Sequence, residues 1–253
     1  MFGGMPRRFS VTNHSARPHK MVGFMRTVIQ RPRILFVDGL PGSGKSTAAA
    51  EIGRRCPDSL VFREMHPNHP LLVGVPDRMG AAFGTIHRVH TADSFATMAI
   101  QKLDAFLQNA GSDVRYVFES HPLQSTVRVL LQLDAPEPAL LKFWSDLQDR
   151  LAPVEPWLLY FRESDPDQAM EAIFRKRGLA WQTYAVEALS QSPWMKERGL
   201  SGVAGLLEMV RQYAAFIDQL VDSWKFPMLA LAARPESYER RTNTLIEWVT
   251  ACG

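Results

Sequence analysis

Ile34-Leu35-Phe36-Val37-Asp38, followed at once by Gly39-Leu40-Pro41-Gly42-Ser43-Gly44-Lys45-Ser46, is the stretch whose reading decides the fold. Four of the first five residues are apolar, which suits a buried strand. The residues that follow the loop, Ser46-Thr47-Ala48-Ala49-Ala50-Glu51-Ile52, favour a helix. Between the two, Gly39, Gly44, Lys45 and Ser46 satisfy the G-x-x-x-x-G-K-[ST] pattern. Glycines let backbone N–H groups come close to phosphate oxygens, and the N-terminus of the helix adds the positive end of its dipole. Lys45 is placed to reach β- and γ-phosphates, and the Ser46 hydroxyl to ligate Mg²⁺. The expected nucleotide cradle is Gly39, Pro41, Gly42, Ser43, Gly44, Lys45, Ser46 and Thr47, with ATP and Mg²⁺ as its occupants.

The chain has 253 residues, 46% hydrophobic and 22% charged, the size and composition of one α/β domain with room for a lid. Its net charge of +3 conceals a gradient. Arg7, Arg8, Arg17, Lys20, Arg26, Arg31 and Arg33 precede the first acidic residue, Asp38, so the remainder is slightly acidic and a nucleic-acid-binding body is not implied. Residues 1–32 read as a basic, flexible extension, or as sequence upstream of a start at Met21 or Met25. No run approaches the roughly 18 apolar residues that a membrane-spanning helix needs. Cys56 and Cys252 have neither metal-ligand spacing nor a paired framework, which points to a reducing, cytoplasmic setting.

From the loop onward, short apolar runs alternate with helical patterns. Leu60-Val61-Phe62, Val114 to Phe118, Pro156 to Phe161 and Phe226 to Leu231 read as further strands. Thr91-Ala92-Asp93 and Ser164-Asp165-Pro166 read as helix starts, and residues 180–200 as a helical excursion. The pattern predicts a three-layer α/β fold with a five-stranded parallel sheet over residues 33–253 and a helical lid at about 175–202. The long connection over residues 71–90, with Arg78 and Arg88, suits a binding loop.

Ligands of such sheets bind outside the carboxyl ends of the strands, and Glu64 and Glu119 follow or end two of them. Glu64 is placed to orient or deprotonate an acceptor, and Glu119 to serve Mg²⁺. Asp38 suits support of the loop or a position near the metal. Arg175, Lys176 and Arg177 end a helix just before the excursion. The two arginines are preferred as lid cations, because a planar guanidinium can grip phosphate through two donors. Arg198 is a weaker candidate of the same kind. His66, His69 and His121 lie near the same rim without metal spacing, and Trp181, Trp194 and Tyr184 suit packing under a lid or stacking on a ring.

GLPGSGKST, a Glu after each of the next two strands and the basic helix end together resemble the thymidylate-kinase and deoxynucleoside-kinase group. Glu64 to Pro70, Phe118-Glu119-Ser120 and Arg198 to Gly202 look like bacterial P-loop kinases related to it. The resemblance covers about residues 33 to 250. It implies an ATP-dependent kinase in which Glu64 acts as base and Glu119 belongs to an acid–Arg pair. This chain departs there: Ser120 follows Glu119, and the nearest arginine is Arg128. The acceptor is left open among a nucleoside, nucleotide, sugar or antibiotic-like molecule, and a homodimer is compatible with the sequence. The alternative reading is a nucleotide-dependent switch acting on a protein partner, but no Asn-Lys-x-Asp element is present.

Overall fold

A computed structural model describes residues 34–64, 66–74, 86–112, 114–234 and 238–251. The N-terminal extension, Arg78 and most of the expected binding loop lie outside the described residues. A five-stranded, all-parallel sheet has the order β2-β3-β1-β4-β5. Its strands are β1 (Ile34–Gly39), β2 (Ser59–Phe62), β3 (Arg115–Glu119), β4 (Trp157–Arg162) and β5 (Met228–Ala232).

β1 is buried along its whole length and pairs on both sides, with Val37 beside Glu119 in β3 and Asp38 beside Tyr160 in β4. Its side chains alternate between two cores, as the period of a strand requires. Leu35 and Val37 pack with Val117, Leu159 and Phe161 against helix α1 (Lys45–Arg55) and helix α9 (Tyr238–Ala251). Ile34 and Phe36 pack with Tyr116, Phe118, Leu158 and Tyr160 on the opposite face. That face is covered by α2 (Ala92–Asn109), α3 (Arg128–Gln132), α4 (Glu137–Leu151) and α8 (Gly202–Asp222). These are the two helical layers that the alternation of patterns predicts.

Local chemistry sets the ends of the elements. Thr91 and Ser94 form a reciprocal capping box at the start of α2. Asp165 caps α5 (Pro166–Arg177) by accepting from the Gln168 N–H at 2.9 Å, with proline at the first helical position. Gly178, at φ 82°, ends α5 and lets the chain turn into α6 (Leu179–Ser190), followed by α7 (Pro193–Glu197). The expected excursion is thus two packed helices. Between β3 and α3, residues Leu123–Val127 form a π-helical turn whose side chains are all buried.

Candidate functional site

The phosphate loop has the shape its glycines permit. Gly39 has φ 145°, and a Cβ there would stand 2.6 Å from the Phe161 carbonyl oxygen, so β4 can lie against the loop only if residue 39 lacks a side chain. Gly44, at φ 99°, is the N-cap of α1 and provides no side-chain cap. The first-turn N–H groups of α1 therefore have no side-chain acceptor from the cap, the arrangement that suits an anion. The Ser43 hydroxyl is buried without a hydrogen-bond partner.

Lys45 is 5% exposed, and its ammonium donates to Gly39 O at 3.0 Å, Leu40 O at 2.7 Å and Gln124 Oε1 at 2.7 Å. Burial lowers its pKa, opposed by the charges of Asp38, Glu64 and Glu119. Asp38 lies under the loop, where its carboxylate accepts from the Gly39 N–H at 2.8 Å and the Leu123 N–H at 2.6 Å. Burial pushes its carboxyl up to about 7, against the pull of Lys45 and the backbone donors. Of its two expected roles, the hydrogen bonds assign Asp38 the one of tying the loop to the turn after β3.

The Ser46 hydroxyl donates to Glu119 Oε1, so the two expected metal-serving residues are in contact. Among the described residues no cluster of three or more His, Cys, Asp or Glu could hold a metal. Mg²⁺ in phosphate sites makes no such demand. It takes one or two protein oxygens and completes its shell with water and phosphate. A hydroxyl and a carboxylate side by side fit that ion.

Two cavities meet at this point. One, of about 240 Å³, is lined by Pro41, Gly42, Gly44, Lys45, Ser46 and Thr47 from the loop, and closed by Glu64, Glu119, Lys176 and Arg177 among others. The second, of about 300 Å³, shares Pro41, Ser46, Glu64, Glu119, Gln124 and Arg177 with the first. It extends between α3 and the helices α5, α6 and α8, with Met170, Trp181, Tyr184, Leu206 and Met209 as an apolar wall. Arg63, Arg128 and Gln132 supply its polar wall, and the Gln132 side-chain nitrogen is buried with no hydrogen-bond partner. A larger groove between α2 and α4, of about 530 Å³, contains none of the phosphate-loop residues.

Most of the residues expected at the site meet at these cavities. Glu64 lies two residues past β2 and accepts from Gln124 Nε2 at 2.8 Å. Arg177 lines both cavities and stacks on Trp181, with its guanidinium 4.8 Å from the ring centre. Arg175 is exposed and lines neither, which corrects its expected position. On the last turn of α5 it is Lys176, not Arg175, that shares the phosphate-side cavity with Arg177. The reason is angular: consecutive helical residues point about 100° apart, so three adjacent cations cannot face one site. Arg198 pairs with Asp134 at 2.6 Å and covers the Trp194 ring, and Trp194 is in the core. His69 and His121 are buried among Phe36, Phe62 and Phe118, and His66 packs edge-on against Phe62. Gln124 and Arg241 were not anticipated. The Arg241 guanidinium donates to Ser43 O at 3.3 Å and Ala233 O at 2.8 Å, bracing the loop from α9.

No protein-family model and no curated protein matches this chain in sequence. Solved structures match it in fold. Deoxyadenosine kinase from M. mycoides with bound dATP aligns over 86% of this chain and 99% of that one, at 15% identity and a TM-score of 0.50. Thymidylate kinase from Candida albicans aligns over 87% of this chain and 92% of that one, at 13% identity and a TM-score of 0.50. The architecture is the three-layer P-loop kinase fold, as the sequence predicts. At these identities the likeness is one of fold.

Proposed function

We propose that this protein is an ATP-dependent kinase that transfers the γ-phosphate to a hydroxyl or phosphate of a small molecule. The observation that carries the reading is that the phosphate-loop cavity adjoins a second, mostly apolar cavity with Glu64 on the wall they share. A nucleotide-driven switch has no use for that second cavity. In the proposed reaction Lys45 and the α1 N-terminus hold the β- and γ-phosphates, and Ser46 and Glu119 hold Mg²⁺. The metal, when bound, neutralises charge on the phosphates. Glu64 takes the proton of an acceptor hydroxyl as that oxygen attacks the γ-phosphorus, and ADP departs. Arg177 and Lys176 stabilise charge on the transferring group, with α5, α6 and α7 as the lid that carries them.

Three arginines, Arg63, Arg128 and Arg177, line the second cavity against two carboxylates, Glu64 and Glu119, so the balance of charge disfavours a polycationic acceptor of the aminoglycoside kind. About 300 Å³ lies at the small end of ligand sites, and the Trp181 and Tyr184 rings suit a flat or apolar body. A compact, neutral or anionic acceptor of nucleoside size or below fits these walls.

The test is ADP release and product mass across nucleosides, nucleotides, sugars and aromatic alcohols. Lys45→Ala is expected to abolish transfer. Glu64→Gln is expected to lower kcat by about 10²–10⁴-fold. Turnover insensitive to every acceptor but raised by a protein partner would overturn the kinase reading.

A further inference from the structure

Gln124 is engaged at all four of its polar groups. Its backbone N–H points at the Asp38 carboxylate, 3.3 and 3.4 Å from the two oxygens, and its carbonyl accepts from Arg128 Nε at 3.0 Å. Its side-chain oxygen accepts from Lys45 Nζ at 2.7 Å, while its side-chain nitrogen donates to Glu64 Oε1 at 2.8 Å. The residue is 5% exposed and is held in the π-helical turn Leu123–Val127, a local geometry that recurs at functional sites. One amide plane therefore joins the lysine of the phosphate loop to the carboxylate on the acceptor side. Its orientation is forced, because an ammonium only donates and a carboxylate only accepts.

The lysine is also saturated. Three N–H bonds are available to it, and Gly39 O, Leu40 O and Gln124 Oε1 take them. A triphosphate can engage Lys45 only by drawing it from at least one of these acceptors. Two of them are main-chain carbonyls of the loop. The third sits on a side chain, which lets go by rotation about its own bonds.

We propose that Gln124 is a positioning residue that couples the donor half of the site to the acceptor half. Before nucleotide arrives, its amide ties Glu64 to the phosphate loop. When phosphate oxygens take Lys45, the Gln124 oxygen loses a charge-assisted bond, the amide is freed to rotate, and Glu64 is released toward the acceptor. Donor binding then precedes productive acceptor binding. The task given to Glu64 rests on the kinase reading above. The coupling itself does not, and it can be measured without turnover.

The experiment uses a non-hydrolysable β,γ-methylene analogue of ATP with Mg²⁺ as probe. Affinity is measured by calorimetry for the wild-type protein, Gln124→Leu and Gln124→Met. Near-UV circular dichroism confirms that each is folded, and the methionine variant keeps the length and flexibility of the side chain if leucine does not pack. Removing the competing acceptor is expected to tighten probe binding about fivefold. In a second arm, protein with ¹³C-labelled glutamate carboxyls is titrated with the probe, the Glu64 signal being assigned by its absence in Glu64→Gln. That signal is expected to shift in the wild type substantially more than in the Gln124 variants, where only the through-space effect of the nucleotide charge remains. Unchanged or weaker probe affinity in both variants, or equal Glu64 shifts in all three proteins, overturns the coupling. Coupling seen in a protein that phosphorylates no acceptor refutes the kinase reading alone.

Discussion

Asp38 sets the electrostatic character of the site from beneath. Its carboxyl is pushed up to about 7, whereas an aspartate in the unfolded chain titrates near 4. Between those values the folded protein holds a proton that the unfolded chain has released. Asp38 therefore makes stability fall as pH rises through that window, by about 1.4 kcal/mol per pH unit. His69 acts in the opposite sense. Burial lowers its pKa to about 4, so the unfolded chain binds the extra proton and stability rises with pH up to its ordinary value. Burial lowers the pKa of His121 too, and its contribution has the same sign as that of His69. The wild-type curve is a composite, and the difference between wild type and Asp38→Asn isolates the aspartate. Urea unfolding at pH 5, 6 and 7 should show the variant gaining stability relative to wild type with each unit. Parallel curves would contradict the raised pKa of the buried Asp38. A second residue-scale prediction concerns Tyr213, whose hydroxyl is buried without a partner. Tyr213→Phe removes an unsatisfied group and is expected to stabilise the fold by about 1–3 kcal/mol in the same assay.

At the scale of elements, α2 and α5 carry separable properties. α2 starts with the Thr91–Ser94 capping box, remote from the phosphate loop in sequence. Thr91→Ala should cost about 1 kcal/mol of stability in chemical denaturation and leave nucleotide affinity unchanged. The last turn of α5 behaves in the reverse way. Arg175, Lys176 and Arg177 are all exposed, so their truncation removes little packing. Arg177→Ala is expected to lower kcat on the order of 10²-fold by removing a cation from both cavities, while Arg175→Ala stays near wild type. Equal losses for the two arginines would show that α5 presents a different face to bound nucleotide. These three residues also mark a limit of sequence reading. A basic helix end is visible in composition, but which of three adjacent cations turns inward depends on how α5 packs against α8 and the loop.

For the whole molecule, one sheet separates two cores, and the site lies where the loop after its central strand meets the turns after β2 and β3. The smaller core holds α1 in place through Ala49 and Ile52, both 0% exposed, so packing on one face sets the helix N-terminus on the rim. Ile52→Ala is expected to cost about 2–5 kcal/mol, measured by urea unfolding, a large share of the roughly 5–15 kcal/mol that stabilises a typical domain. The sequence by itself determined the strand–loop–helix at Ile34 to Ile52, the parallel sheet and the delivery of Glu64 and Glu119 to its rim. Those features are local or periodic: glycine spacing, apolar runs and strand ends are all written in neighbouring residues. Only the tertiary structure decided the clasp at Gln124, which meets Lys45 and Glu64 across 79 and 60 residues of chain. The same holds for the brace from Arg241, 198 residues beyond Ser43, and for the choice of Lys176 and Arg177 over Arg175. Such contacts join side chains whose neighbours are set by how layers pack, and no pattern within a single element encodes them.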